Sequence, residues 1–143
     1  MKKLLLTILL LTIVVKTPTP TTLKIDQFSL FSEFTLKRLI YILKIEHPDI
    51  VFIQAQIESA HFKSNIFREN NNLFGMKVAK KRPTSAIGIN RGHASYTKWQ
   101  HSVIDYKLMQ KRYAHNKSRK QYFVYLKHYA ADPKYILKIK ERL

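Results

Sequence analysis

A mainly α-helical (α+β) domain with a small β-hairpin or irregular lobe is predicted by three features of the sequence. Apolar residues recur at i, i+3, i+4 and i+7 in separate stretches, the spacing that gathers them on one face of a helix. Serine, threonine or aspartate stands ahead of several of these stretches, where a side-chain oxygen can cap the first turn. One central segment, Gly75 to Tyr96, has no such stripe and is punctuated by Pro83, Gly88 and Gly92.

The elements follow in order. Thr35 is the expected N-cap of a first helix carrying Leu36, Leu39, Ile40 and Leu43 inward. "HPD" stops it, and Pro48 opens a second helix at its first position, with Asp49 favourable in the first turn. That helix runs toward Ala60 with Ile50, Ile53 and Ile57 at core spacing. Ser64 caps a short turn, "NIFRE", which "NNN" then breaks. Gly75 to Tyr96 forms a long loop or a two-stranded hairpin. "TKWQ" (Thr97 to Gln100) and "SRKQ" (Ser118 to Gln121) are both predicted capping boxes. "DPKY" offers Asp132 as N-cap and Pro133 at the first helical position of a last helix with Ile136, Ile139 and Leu143.

The chain has 143 residues, enough for one domain with a real core. It contains no cysteine, which excludes disulfides and thiolate metal sites. No cofactor or metal is expected. Twenty-six basic residues against nine acidic ones give a formal charge of +17, which calls for an anionic partner or surroundings.

The start, "MKKLLLTILLLTIVVK", has a basic end followed by twelve largely apolar residues, Leu4 to Val15, as in an export signal. As a helix that run reaches roughly 18 Å against a hydrocarbon core of about 30 Å, so no stable membrane span is expected. No small-x-small cleavage site follows Val15. The expected organisation is an export segment at 1–16, a Pro/Thr-rich linker at 17–30 and one domain at 31–143. Export to the cell envelope or outside makes an anionic wall a better partner than nucleic acid, for which no recognition motif is present.

Glu58 is the residue that needs explaining. It sits at the C-terminal end of the second helix, where the macrodipole makes a negative charge cost roughly 0.3–1 kcal/mol. Ile57, Phe62, Ile66, Phe67, Leu73 and Phe74 surround it in sequence. Low polarity and the dipole both disfavour the charged form and so raise a carboxyl pKa. A carboxylic acid that keeps its proton near neutral pH suits protonation of a glycosidic leaving oxygen. Lysozyme, with an acid raised to about 6 by an apolar pocket, is the worked case of that chemistry. The alternative is a solvated carboxylate paired with Lys63 or Arg68, an arrangement that contributes little.

"QAQIES" followed by "NNLFGMK" resembles the glucosaminidase family, glycoside hydrolase family 73, which cleaves bacterial cell-wall glycan. "SVIDY" (Ser102 to Tyr106) and "YAADPKY" (Tyr129 to Tyr135) are similar to its later motifs, in the same order. The resemblance covers about Phe31 to Leu143. It implies a lysozyme-like helical fold with a groove, a monomer acting on peptidoglycan strands, and an endo-type cut at N-acetylglucosaminyl β-1,4 bonds. Glu58 falls at the family's general acid, and Tyr129 at a tyrosine implicated near the reacting sugar.

Substrate-binding candidates follow from the same resemblance. Asn72 belongs to the "NNLFG" turn that shapes the groove floor, or is a plain turn residue. Gln54, one turn before Glu58, holds its carboxyl or packs. Phe74 and Trp99 stack on sugar rings or belong to the core. Arg91 and His93, with Lys80, Lys81 and Arg82, form a cationic wall for wall carboxylates or teichoic-type anions, or a solvated loop. Asp105 is a structural or capping group rather than a catalyst.

The family pattern fails at one point. Many members are thought to carry a second carboxylate on the hairpin after "LFG", yet no Asp or Glu occurs between Glu69 and Asp105. A two-carboxylate mechanism needs partners about 5–5.5 Å apart for retention or 6.5–9.5 Å for inversion. The substrate's own 2-acetamido group, Asp105 or Glu69, or Tyr129 has to supply the missing function, and the acetamido group is preferred. The competing expectations are a catalytically inactive wall-binding or assembly module of the same fold and, more remotely, a basic nucleic-acid binder.

Overall fold

Ser32, rather than Thr35, starts the first helix of the computed structural model, which describes residues 30–143. The Ser32 hydroxyl accepts the Thr35 amide at 3.0 Å, and the Thr35 hydroxyl accepts the Ser32 amide at 2.8 Å. This reciprocal box gains an extra turn and places Glu33 at the positive end of the helix dipole. The expected export segment, and all of the linker but its last residue, lie outside the described residues.

Six helices and one hairpin follow among the described residues: α1 Glu33–Ile42, α2 Pro48–Glu58, α3 Asn65–Asn70, β1 Gly88–Asn90, β2 His93–Ser95, α4 Trp99–Tyr113, α5 Arg119–Leu126 and α6 Tyr135–Lys140. The architecture is mainly α and lysozyme-like, with one two-stranded antiparallel sheet. Helix α2 runs through the middle, touching α1 on one side and α6 on another, while α1 also meets α4. Ile50, Val51, Ile53, Gln54 and Ala55 are all buried, so α2 has almost no solvent face. Burying each of its Ile or Val side chains contributes roughly 1.5–3 kcal/mol.

Helix α2 begins at Pro48 as predicted, with His47 in the left-handed region and its ring on the Lys117 carbonyl at 2.8 Å. It ends at Glu58, short of Ala60. The buried Ser59 turns the chain: its hydroxyl donates to Ala55 O at 2.5 Å and accepts the Phe62 amide at 2.9 Å. Ala60, His61 and Phe62 then all adopt positive φ, at 49°, 53° and 64°. Three successive non-glycine residues there are strained, and strain of this kind gathers at functional sites. Phe62 is held in that pose by an aromatic cluster with Phe31, 4.9 Å between ring centres.

Ser64 caps α3 and Ser118 with Gln121 forms the capping box of α5, both as predicted. "TKWQ" behaves differently. Lys98 is the N-cap of α4, with no side-chain cap bond. Gln100 therefore sits at the second helical position and is buried, so its side chain cannot reach back to Thr97. Asp132 accepts the Lys134 amide at 2.8 Å and caps a lead-in turn, with regular helix from Tyr135. Ile139 is fully buried, but Leu143 is 51% exposed and leaves the predicted stripe.

The hairpin pairs Gly88 with Ser95 and Asn90 with His93. Its two-residue turn, Arg91 and Gly92, has φ of 52° and 70°, the left-handed pair that matches strand twist. Asn70 and Asn90 lock it to α3 through Asn70 Nδ2 to Asn90 O (2.7 Å) and Asn90 Nδ2 to Asn70 Oδ1 (2.8 Å).

Candidate active site

A cleft of about 1040 Å³ opens where the end of α2, the segment 74–82 and the chain from α5 into α6 meet. Glu58, Gly75, Lys77, Arg82, Tyr129 and Tyr135 are among the residues that line it. Among the described residues Glu58 has no cationic partner, so the ion pair with Lys63 or Arg68 does not form. Tyr135 lines the same cleft. Burial raises the Glu58 carboxyl above the ordinary glutamate value, and the nearby Tyr135 hydroxyl pulls it part of the way back.

Beneath the carboxyl lies Gly75. A Cβ there would stand 3.5 Å from Glu58 Oε2, and φ of +61° disfavours any side chain. The backbone conformation rather than a clash calls for the glycine of "LFG", since 3.5 Å is an ordinary contact. Asn72 makes the turn that carries it. Its amide nitrogen donates to Met76 O and Ala94 O, both at 2.9 Å, and its oxygen accepts the Phe74 and Met76 amides at 3.3 and 3.1 Å. Every group of this buried amide is used, so Asn72 builds the floor and has nothing left for a substrate. The left-handed residue of this stretch besides Gly75 is Asn71.

Tyr129 lines the cleft and donates to Phe74 O at 2.9 Å, which ties the floor to the opposite wall. Burial raises its hydroxyl well above the ordinary tyrosine value, with Tyr135 and Glu58 adding to the effect. It stays protonated. Gln54 is fully buried and donates to the Tyr135 oxygen at 3.1 Å rather than to the Glu58 carboxyl.

Of the remaining candidates Phe74, Trp99, Arg91 and His93, only Phe74 lines the cleft. Trp99 is buried against Phe31, 5.4 Å between ring centres, so the sugar-stacking role assigned to it is withdrawn. The Phe74 ring packs on Tyr106 at 4.3 Å and only its backbone carbonyl serves the site. Arg91 is bonded twice to Glu69 at the hairpin tip, and His93 bonds Arg91 O at 2.8 Å; neither lines the cleft. The cationic wall is made by Lys77, Lys80 and Lys81, all exposed, with Arg82 behind them.

Arg82 is no free cation. Its side chain is 5% exposed and bonds Asp105 at 2.5 Å, while Tyr96 donates to the other Asp105 oxygen at 2.7 Å. Asp105 is wholly buried and holds the cationic loop to α4. It cannot swing into the cleft, and Glu69 is engaged by Arg91 outside it. Asp132 does line the cleft; bonds from Lys138 and the Lys134 amide hold it below the usual carboxylate range. Gly75, Tyr135 and Lys77 were not singled out as site residues from sequence, although each stands within a motif quoted there.

Among the described residues no group of three His, Cys, Asp or Glu side chains could hold a metal. No described helix is long and apolar enough to cross a membrane.

A mainly helical body around a cleft with a half-buried carboxyl is the form of a lysozyme-like glycan-processing domain. This chain belongs to the glucosaminidase family: the family described as mannosyl-glycoprotein endo-beta-N-acetylglucosaminidase matches residues 40–143. The chain is also similar to Protein bax of Escherichia coli (strain K12), 40% identical over 57 residues. That match covers 40% of this chain and 21% of bax, about a fifth of the relative's length. No solved structure matches the chain.

The raised Glu58 carboxyl has a consequence for stability. The folded state holds its proton to higher pH than the unfolded chain does, so stability falls as pH rises through that interval. Glu58→Gln, which cannot ionise, is expected to be more stable than the parent above neutrality. The advantage should shrink as pH drops below the ordinary glutamate value of 4.5. Urea midpoints at pH 4 and pH 8 measure it; a Gln variant equally or less stable at pH 8 would contradict the burial of the charge.

Proposed function

We propose that this chain is an exported peptidoglycan hydrolase that cuts the N-acetylglucosaminyl β-1,4 bond of bacterial wall glycan, with Glu58 as general acid. The observation that carries the proposal is the half-buried Glu58 carboxyl, lining the cleft with no cationic partner among the described residues. Burial raises its pKa, and a raised acid is suited to protonate a leaving oxygen.

The second function falls to the substrate. Asp105 and Glu69 are both engaged away from the cleft, Asp132 lines it but is held by Lys138 and the Lys134 amide, and the Tyr129 hydroxyl donates its hydrogen bond to the Phe74 carbonyl. The 2-acetamido oxygen of the sugar attacks C1 as the C1–O bond breaks and Glu58 gives its proton to the departing oxygen. Water then opens the resulting ring, returning a proton to Glu58, and the configuration at C1 is retained. The family supports a glycan substrate, and the export segment at 1–16 supports an envelope location. A wall-binding module without activity is the second reading, favoured by the lack of an acid opposite Glu58 on the 77–87 segment.

Glu58→Gln separates the two. Release of muropeptides is expected to fall by about 10²–10⁴-fold while binding to wall persists. Under the second reading the substitution changes nothing. In the parent, release should decline as pH rises through the raised Glu58 value, because the acid form is lost. Mass spectrometry should find reducing-end N-acetylglucosamine; free stem peptides would indicate an amidase instead.

Substrate assistance has its own test. A thiazoline of N-acetylglucosamine, which imitates the cyclised intermediate, is expected to inhibit far better than the plain sugar. Equal inhibition would rule the acetamido route out. The exposed Lys77, Lys80 and Lys81 predict that rising salt slows hydrolysis of intact wall more than that of a short neutral oligosaccharide. Equal slowing would deny the wall any steering role.

A further inference from the structure

The cleft is larger than the reaction at one bond requires. Its volume of about 1040 Å³ lies at the top of the roughly 300–1,000 Å³ range of drug-sized ligand sites. Helix α4 gives the scale along it. Tyr106 packs on Phe74 at 4.3 Å, and Gly75, next in the chain, lies against Glu58. That sets the acid near the level of Tyr106. Tyr113, the last residue of α4 and seven on from Tyr106, also lines the cleft. Seven residues at 1.5 Å each put it about 10 Å further along the helix axis.

One face of α4 runs out of the core to this point. Asp105, Met109 and Tyr113 follow at i, i+4 and i+8, and their exposure rises from 0% through 9% to 46%. Asp105 is held under Arg82, while Met109 and Tyr113 both line the cleft. Of the nine large apolar side chains left exposed among the described residues, only Tyr113 stands there. The other Phe and Tyr rings of the cleft already have ring partners. Phe74 lies on Tyr106, Tyr129 stacks on Tyr135 at 6.2 Å and 18°, and Tyr125 is 5.8 Å from Tyr122. The Tyr113 ring meets the Arg112 guanidinium at 5.9 Å, the outer limit of a cation–π contact, and stays largely uncovered.

A flat apolar surface kept in water inside a cleft suits a ligand that is itself a ring with one apolar side. A pyranose has that form: C–H groups on a face and hydroxyls around the edge. Laid on Tyr113 it buries the C–H face and leaves its hydroxyls in water. We propose that Tyr113 is the stacking platform of an outlying sugar subsite, holding one pyranose ring of the glycan about two helical turns from the acid. The inference rests on a glycan as the ligand of the cleft, and it adds a requirement for chain length. A ring bound so far from the reacting carbon is held equally in ground and transition states, so the contact sets KM rather than kcat.

Neutral oligomers of N-acetylglucosamine are the probes, since they give the lysine rim no anion to attract. Titration calorimetry in the Glu58→Gln background measures binding without cutting. There Tyr113→Ala is expected to weaken the hexamer about tenfold and the dimer by less than about twofold. Tyr113→Phe, which keeps the ring, should bind the hexamer within about twofold of the parent, whereas Tyr113→Leu keeps bulk without a flat face and should lose as much as alanine. With Glu58 in place, Tyr113→Ala should raise KM for the hexamer about tenfold and leave kcat within about twofold. Unchanged hexamer binding in Tyr113→Ala, equal losses for dimer and hexamer, or a parent that binds no hexamer overturns the proposal. If the alanine variant does not fold, Tyr113→Leu decides by the same criteria. Hexamer binding that depends on Tyr113, in a chain that releases no muropeptides, would defeat the hydrolase reading and leave the subsite intact.

Discussion

A carboxyl at the last residue of a buried helix has no easy way to carry charge, and most of the cleft is arranged around that constraint. The helix dipole opposes ionisation, apolar neighbours withhold solvent, and among the described residues no lysine or arginine pairs with it. The Tyr135 hydroxyl offsets the burial only in part. The placement depends on α2 ending where it does, and Ser59 ends it by drawing both Ala55 O and the Phe62 amide onto one side chain. The strained residues 60–62 are the cost of turning the chain away at once, leaving the carboxyl at the edge of the cleft.

The two walls are held by different means. The floor is knotted by the Asn72 amide, whose four bonds join the "LFG" turn to β2, and by Tyr129 reaching across to Phe74 O. The cationic wall is held by Arg82, drawn inward onto Asp105 and Tyr96. Removing one partner of such a buried pair leaves an uncompensated charge and typically costs 3–5 kcal/mol. The exposed lysines beside Arg82 therefore project from a segment whose own anchor is buried. Their charge is available to solvent because a neighbour has satisfied the acid below.

Much of the fold was legible in the sequence because its signals are local. Pro48 at the start of α2, Ser64 before α3 and the Ser118–Gln121 box act within four residues of themselves, and all three appear as expected. Where tertiary burial competes, local signals lose: Gln100 is pulled into the core, so "TKWQ" cannot close. The site was less legible. Glu58 stood out as a charge in an apolar stretch, but which aromatics face the cleft depends on partners distant in sequence. Trp99 is captured by Phe31, and Tyr135 joins Glu58 at the cleft only because α6 packs against α2. Arg91 and His93 were grouped with the lysines by proximity in sequence, yet the turn at Arg91–Gly92 points them to the hairpin tip.

The chain between Ser59 and Ser64 is fixed in length as well as in shape. Ser59 O receives the amides of both Lys63 and Ser64, and Ser64 caps α3 directly after. One inserted residue would break that closure and rotate α3, and with it the hairpin that α3 supports. The stretch from Lys77 to Ile87 has no such closure; side chains such as Arg82 and Ser85 pin it at points, with slack between them. Insertions and deletions are therefore tolerable on the lysine-bearing rim and ruinous beside the acid, so the reach of the cleft can diverge while the geometry of the carboxyl stays put.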